Sequence, residues 1–169
     1  MDIADLLGDA FDRVHGIVHG VVEGLEPDLL AARPDEDGNS IAWLIWHLTR
    51  IQDDHVASVA GQDQVWTASG WFERFRLPLD ASDTGYGHSP DEVAAVRAGA
   101  DTLLGYFDEV HAATARFVEG LSARDLDGIV DENWDPPVTL GIRLVSVIAD
   151  DLQHAGQAAY ARGLLTGAT

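Results

Sequence analysis

The chain has 169 residues, 46% of them hydrophobic, with no cysteine and a formal charge of −19 at pH 7. That length suits a single domain, 1–169, with a sizeable core, and the acidity argues against nucleic acid and anionic membranes as partners, because both need basic patches. Disulfides, thiolate ligands and cysteine nucleophiles are excluded, so any metal must be held by nitrogen and oxygen.

Residues 2 to 25 place Ile3, Leu7, Ala10, Val14, Ile17, Val21 and Leu25 at three- and four-residue spacing, which predicts an amphipathic helix with one buried stripe. Its start, Met1-Asp2-Ile3-Ala4-Asp5, is acidic rather than basic as in a signal peptide. No apolar run reaches the ~18–20 residues of a membrane span, and the chain reads as cytoplasmic. His15 and His19 lie four apart but more than ~120° from the centre of the apolar stripe, so they are expected to face solvent. Gly16, Gly20 and Gly24, also four apart, either admit a close neighbour or simply weaken the helix.

Pro27 and Arg33-Pro34-Asp35-Glu36-Asp37-Gly38 read as a connection. Asn39 or Ser40 then caps a second helix running to about Ala60, where Gly61 stops it. Its inward stripe is Leu44, His47, Leu48, Ile51 and His55 or Asp54, with Trp43 one turn from His47 as a cavity wall. Residues 61 to 88 show no sustained period yet carry Trp66, Trp71, Phe72, Phe75, Tyr86 and His88, with Arg74 and Arg76 the nearby cations. Such a segment is expected to be a packed functional loop, closing the mouth of a cavity. Ser89-Pro90-Asp91-Glu92 is a capping box with proline at the first helical position, and the third helix is expected to continue unbroken to about Gly120. Asp135-Pro136-Pro137 lies in a connection. Thr139 caps a last helix ending near Gly163.

That last helix carries Ile148-Ala149-Asp150-Asp151-Leu152-Gln153-His154-Ala155-Gly156-Gln157. Asp150 and His154, four apart, share a face with Leu144, Val147 and Ala158, and a buried carboxylate requires a partner or a cation. With His47 from the second helix, three ligands with open coordination positions suggest a catalytic rather than a structural metal. The residues alone leave open a metal-free Asp–His network, and Asp151, three before His154, competes with Asp150.

The apolar run ending in His47-Leu48, together with the acid-x-x-x-His step followed by Gly156-Gln157, resembles the DinB-like superfamily over nearly the whole chain. The nearest likeness is to its thiol-dependent branch, the mycothiol- and bacillithiol-dependent S-transferases and the metal domain of mycothiol-dependent maleylpyruvate isomerase. The resemblance implies an all-α, up-down four-helix bundle with a long loop between helices two and three, and a divalent metal on His47, Asp150 and His154. Many members have histidine where this chain has Asp150, whereas the isomerase has a carboxylate. Zinc is the expected ion, with nickel or iron as alternatives. The implied function is a transferase activating a low-molecular-weight thiol for attack on a small electrophile, with Trp43, Gln157, Trp71 and Arg74 touching substrate. All ten basic residues are arginine, and this high-GC style of composition points to mycothiol. A metal-dependent hydrolase and a non-catalytic metal-binding stress-response protein are the alternatives, and a homodimer is left open.

Overall fold

The computed structural model describes residues 1–167. Four long helices, α1 (Ile3–Val22), α3 (Ile41–Ala60), α7 (Ala100–Glu119) and α8 (Leu140–Thr166), form an all-α bundle. Short helices α2 (Pro27–Ala31), α4 (Val65–Ala68), α5 (Trp71–Phe75) and α6 (Pro90–Ala95) lie in the connections. Before α8 comes a small antiparallel ribbon, β1 (Ile129–Asp131) with β2 (Val138–Thr139). In the bundle α1 packs on α7 and α8, and α3 packs on those same two helices from the opposite corner. Among the described residues no helix is long and apolar enough to cross a membrane.

Local chemistry sets the helix ends. Asp2 and Asp5 form a capping box at α1, and the Ser40 hydroxyl accepts from the Trp43 amide at 3.1 Å. Gly61 closes α3 in the left-handed region at φ 64°, a conformation that only glycine adopts freely. Thr139 caps α8 through the Ile142 amide at 3.3 Å. The last helix continues through Gly163 to Thr166, three residues beyond the expected end, because an interior glycine costs a helix only about 1 kcal/mol.

The expected third helix is two. The backbone leaves the helical region at Val96 (ψ 96°) and α7 restarts after Gly99. Val96 nevertheless stays buried in the main core cluster, so the apolar period runs on across a backbone break. The glycines of α1 bring no neighbour close, since a Cβ on Gly16 or Gly20 would meet nothing within 4 Å.

The segment between α3 and α6 is stapled from within. Asp53, 3% exposed, accepts from the Val65 and Trp66 amides at 2.9 and 2.8 Å and from the Tyr106 hydroxyl at 2.8 Å. Arg50, with no exposed surface, donates to the Asp83 carbonyl at 3.1 Å and to Gln64 at 2.8 Å. Trp66, Phe75 and Tyr106 then pack as a ring cluster, with the Arg50 guanidinium 5.1 Å over Trp66.

Candidate metal centre

Helices α3 and α8 run antiparallel. Leu44 and Gln157 line one groove, His47 and His154 meet edge to face in the middle with ring centres 4.8 Å apart, and His55 contacts Arg143 further along. At the middle of this seam one ligand atom each from His47, Asp150 and His154 lies within 4.8 Å of the others. His47 is buried, while the His154 and Asp150 side chains are 17% and 34% exposed, so the cluster opens to solvent on one side. Asp151 is not part of it. That side chain is fully buried on the core face of α8, and burial pushes its carboxyl well above the ordinary range, with the neighbouring Asp150 charge adding to the shift.

The donor set fits a borderline divalent ion of the zinc type, two imidazole nitrogens and a carboxylate. His47 Nδ1 is tied to the Thr84 carbonyl at 2.5 Å and His154 Nδ1 to Gln157 Oε1 at 3.0 Å. In the neutral ring both contacts favour the tautomer with a hydrogen on Nδ1, leaving each Nε2 lone pair free, as in metal-bound histidines whose other nitrogen donates to an oxygen. His154 Nε2 stands 3.5 Å from Asp150 Oδ1, longer than a good hydrogen bond. It is close to the ~3.3–3.4 Å between two ligands of a tetrahedral zinc with bonds of about 2.0–2.1 Å. Asp150 Oδ2 is buried and has no hydrogen-bond partner among the described residues, an orphan that a cation would satisfy.

Burial and neighbouring charge shift all three groups. Burial lowers the His47 pKa below 6.5, against a smaller opposing pull from the Thr84 carbonyl, which keeps the ring neutral. The Asp150 carboxylate beside His154 raises that ring above 6.5 despite its own burial. Burial alone would raise Asp150, but His154 and the other imidazoles bring it below 3.8.

Trp43 stacks on His47 with ring centres 4.6 Å apart and presents an edge to His154 at 6.2 Å. Its indole N–H donates to His88 Nδ1 at 3.0 Å, and His88 in turn meets Asp83 at 2.9 Å. Gln157 holds His154 and lines an open groove of about 480 Å³ with Leu44, Asn39 and Tyr160. Trp71 and Arg74 are placed elsewhere. Trp71 packs against Phe75 and Tyr106 and donates to Glu109 at 2.7 Å, with Arg74 stacked over it at 4.5 Å. Among the described residues neither makes a ring contact or hydrogen bond to Trp43, His47 or His154.

The expectation that the aromatics from Trp66 to Tyr86 close the mouth of the site is corrected. Trp66, Trp71 and Phe75 are drawn into the α3–α7 core through Asp53 and Glu109, and Tyr86 is 91% exposed. What covers His47 is the turn Asp83-Thr84-Gly85. A Cβ on Gly85, at φ +92°, would lie 2.8 Å from His47 Nδ1, so glycine is required for the Thr84 carbonyl to reach the ring. Sequence reasoning missed this turn and the link from Trp43 through His88 to Asp83. The one signal for it is the pair of glycines at 85 and 87 flanking Tyr86. The expectation that His15 and His19 face solvent is also corrected: their side chains are 34% and 26% exposed and both contact Asp108 of α7.

The sequence model of the DinB superfamily matches residues 10–158. A crystal structure described as the conserved protein of locus from Enterococcus faecalis superposes with a TM-score of 0.92 at 31% identity, covering 99% of each chain. No curated protein matches the sequence. With a family match over most of its length, the chain belongs to the DinB superfamily.

Proposed function

We propose that this protein is a metal-dependent transferase that presents a low-molecular-weight thiol, with mycothiol the leading candidate, to a small electrophile. The observation that carries the reading is the convergence of His47, Asp150 and His154 on an antiparallel seam that is walled on one side and open on the other. When bound there, a divalent ion supplies the charge that keeps a coordinated thiol deprotonated, and a thiolate is the nucleophile.

The chain's own residues supply the rest. Thr84 and Gln157 orient the two imidazoles, the Trp43 ring closes one wall, and the groove beside Gln157 receives the reactants. Asp35 and Asp37 on that groove's rim disfavour strongly anionic ligands. Trp71 and Arg74 serve the site indirectly, by packing the segment that leads to Thr84. Transfer forms a bond from thiol sulfur to the electrophilic carbon, and the leaving group departs with the electron pair.

Calorimetry of zinc-loaded protein with mycothiol and with bacillithiol tests this. Binding of one thiol that disappears on chelation supports the proposal. Zinc binding without any thiol binding, together with ester or amide hydrolysis, would replace it with the water-activating alternative.

A further inference from the structure

The α1–α7 seam holds a second cluster of nitrogen and oxygen donors, on elements that contribute nothing to the His47 site. His15 and His19 are one turn apart on α1, and both turn Nε2 toward the same atom of α7, Asp108 Oδ1, at 2.9 and 2.7 Å. The three ligand atoms lie within 4.8 Å of one another. His19 Nδ1 is held by Glu23 at 3.0 Å, so a carboxylate orients that ring from behind while its other nitrogen faces the cluster. This is the carboxylate–histidine arrangement that fixes the tautomer of a metal ligand. The His15 ring is clamped between His19 and His111, with centres 4.4 and 4.5 Å away, and stacks on Phe107. Its rotamer is therefore set by packing.

We propose that His15, His19 and Asp108 form a second divalent transition-metal site that clamps α1 to α7. Two imidazoles and one carboxylate select a borderline ion such as zinc, cobalt or nickel over calcium or magnesium, which take oxygen ligands. Tetrahedral zinc separates its ligands by about 3.3–3.4 Å, so Asp108 Oδ1 needs to part from each imidazole nitrogen by roughly 0.5 Å. The Asp108 side chain is 47% exposed, which leaves it free to move by that much. The His15 and His19 side chains are 34% and 26% exposed, so solvent reaches the cluster, and the chain's charge of −19 favours cations over anions near its surface. Because both helices must be docked for the ligands to meet, an ion here binds the folded state and raises its stability.

The test uses metal-free, full-length protein titrated calorimetrically with zinc chloride, alongside thermal melts with and without zinc. The wild type is expected to bind two ions. His154→Ala should bind one and keep a zinc-dependent rise in Tm. His19→Ala should also bind one, and the double variant none, with no shift in Tm. Asp108→Asn, which preserves shape, should weaken the second site at least tenfold while circular dichroism stays unchanged. The proposal is overturned if His154→Ala binds no zinc, or if its remaining ion persists in the double variant. A His19→Ala protein that binds none, beside a His154→Ala protein that still binds one, would sink the His47 site and leave this one standing.

Discussion

Asp53→Ala is the most informative single perturbation of the scaffold that carries the site. The carboxylate accepts from two backbone amides and a tyrosine hydroxyl and stands 3.8 Å from the fully buried Arg50. Burial lifts the Asp53 carboxyl above its ordinary 3.8 even against those partners, so the pair is not itself a large source of stability. The loss on truncation comes from what is stranded: a buried guanidinium and three donors without an acceptor. Removing one partner of a buried pair costs about 3–5 kcal/mol. At roughly 2–4 °C per kcal/mol for a chain of this size, Tm should fall by roughly 6–20 °C. Urea unfolding followed by far-UV circular dichroism measures the loss directly. The matched control is Asp54→Ala, because Asp54 is 40% exposed, accepts from Gln64 at 2.7 Å and lies 3.8 Å from His55; it should lose less than about 1 kcal/mol. Arg50→Met with Asp53→Ala should be less damaging than the sum of the single variants. A loss below about 1 kcal/mol for Asp53→Ala, or strict additivity in the double variant, would refute the stapling argument.

Gly85→Ala combines a 2.8 Å clash with His47 and a positive φ, so it should lose about 1–3 kcal/mol and weaken zinc at the His47 site, read by calorimetry in a His19→Ala background. In that background Asp150→Ala should remove the ion, Asp151→Ala should leave stoichiometry unchanged, and Asp150→His should retain binding; mass spectrometry of the native protein distinguishes these outcomes. Zinc affinity at the same site should rise with pH between about 6 and 8. His154 is raised above 6.5 by Asp150 and must shed its proton to coordinate, whereas His47, lowered by burial, is already neutral. Calorimetry in two buffers of different ionisation enthalpy should therefore count about one proton released near pH 6.5, and a pH-independent affinity would contradict the assignment.

Much of the bundle was legible because its punctuation is local. Ser40, Gly61, the Ser89–Glu92 box and Thr139 act within one turn of where they sit, and the structure uses each as the sequence implies. The break after α6 was not legible, because Val96 satisfies the helical period with its side chain while its backbone abandons the helix. The residues that position the loop were hidden for another reason. Arg50 meets Asp83, and Asp53 meets Trp66 and Tyr106, across separations that no periodicity records. Spacing within α8 alone leaves Asp150 and Asp151 in competition as partners of His154. The position of α3 separates them, placing Asp150 beside the two imidazoles and Asp151 in the core. The angle of His15 and His19 from the apolar stripe of α1 points them toward solvent, because that angle takes no account of the Asp108 carboxylate supplied by α7.

The antiparallel seam of α3 and α8 also has a consequence for synthesis. His47 leaves the ribosome early, and Asp150 and His154 leave only after the long stapled segment and α7 have followed it. No partial chain lacking α8 can assemble the three-ligand site, whatever the metal content of its surroundings. Loading of the site is thus tied to docking of the final helix, and an ion caught there would bridge distant parts of the chain. Occupancy would then mark the molecules whose folding is complete.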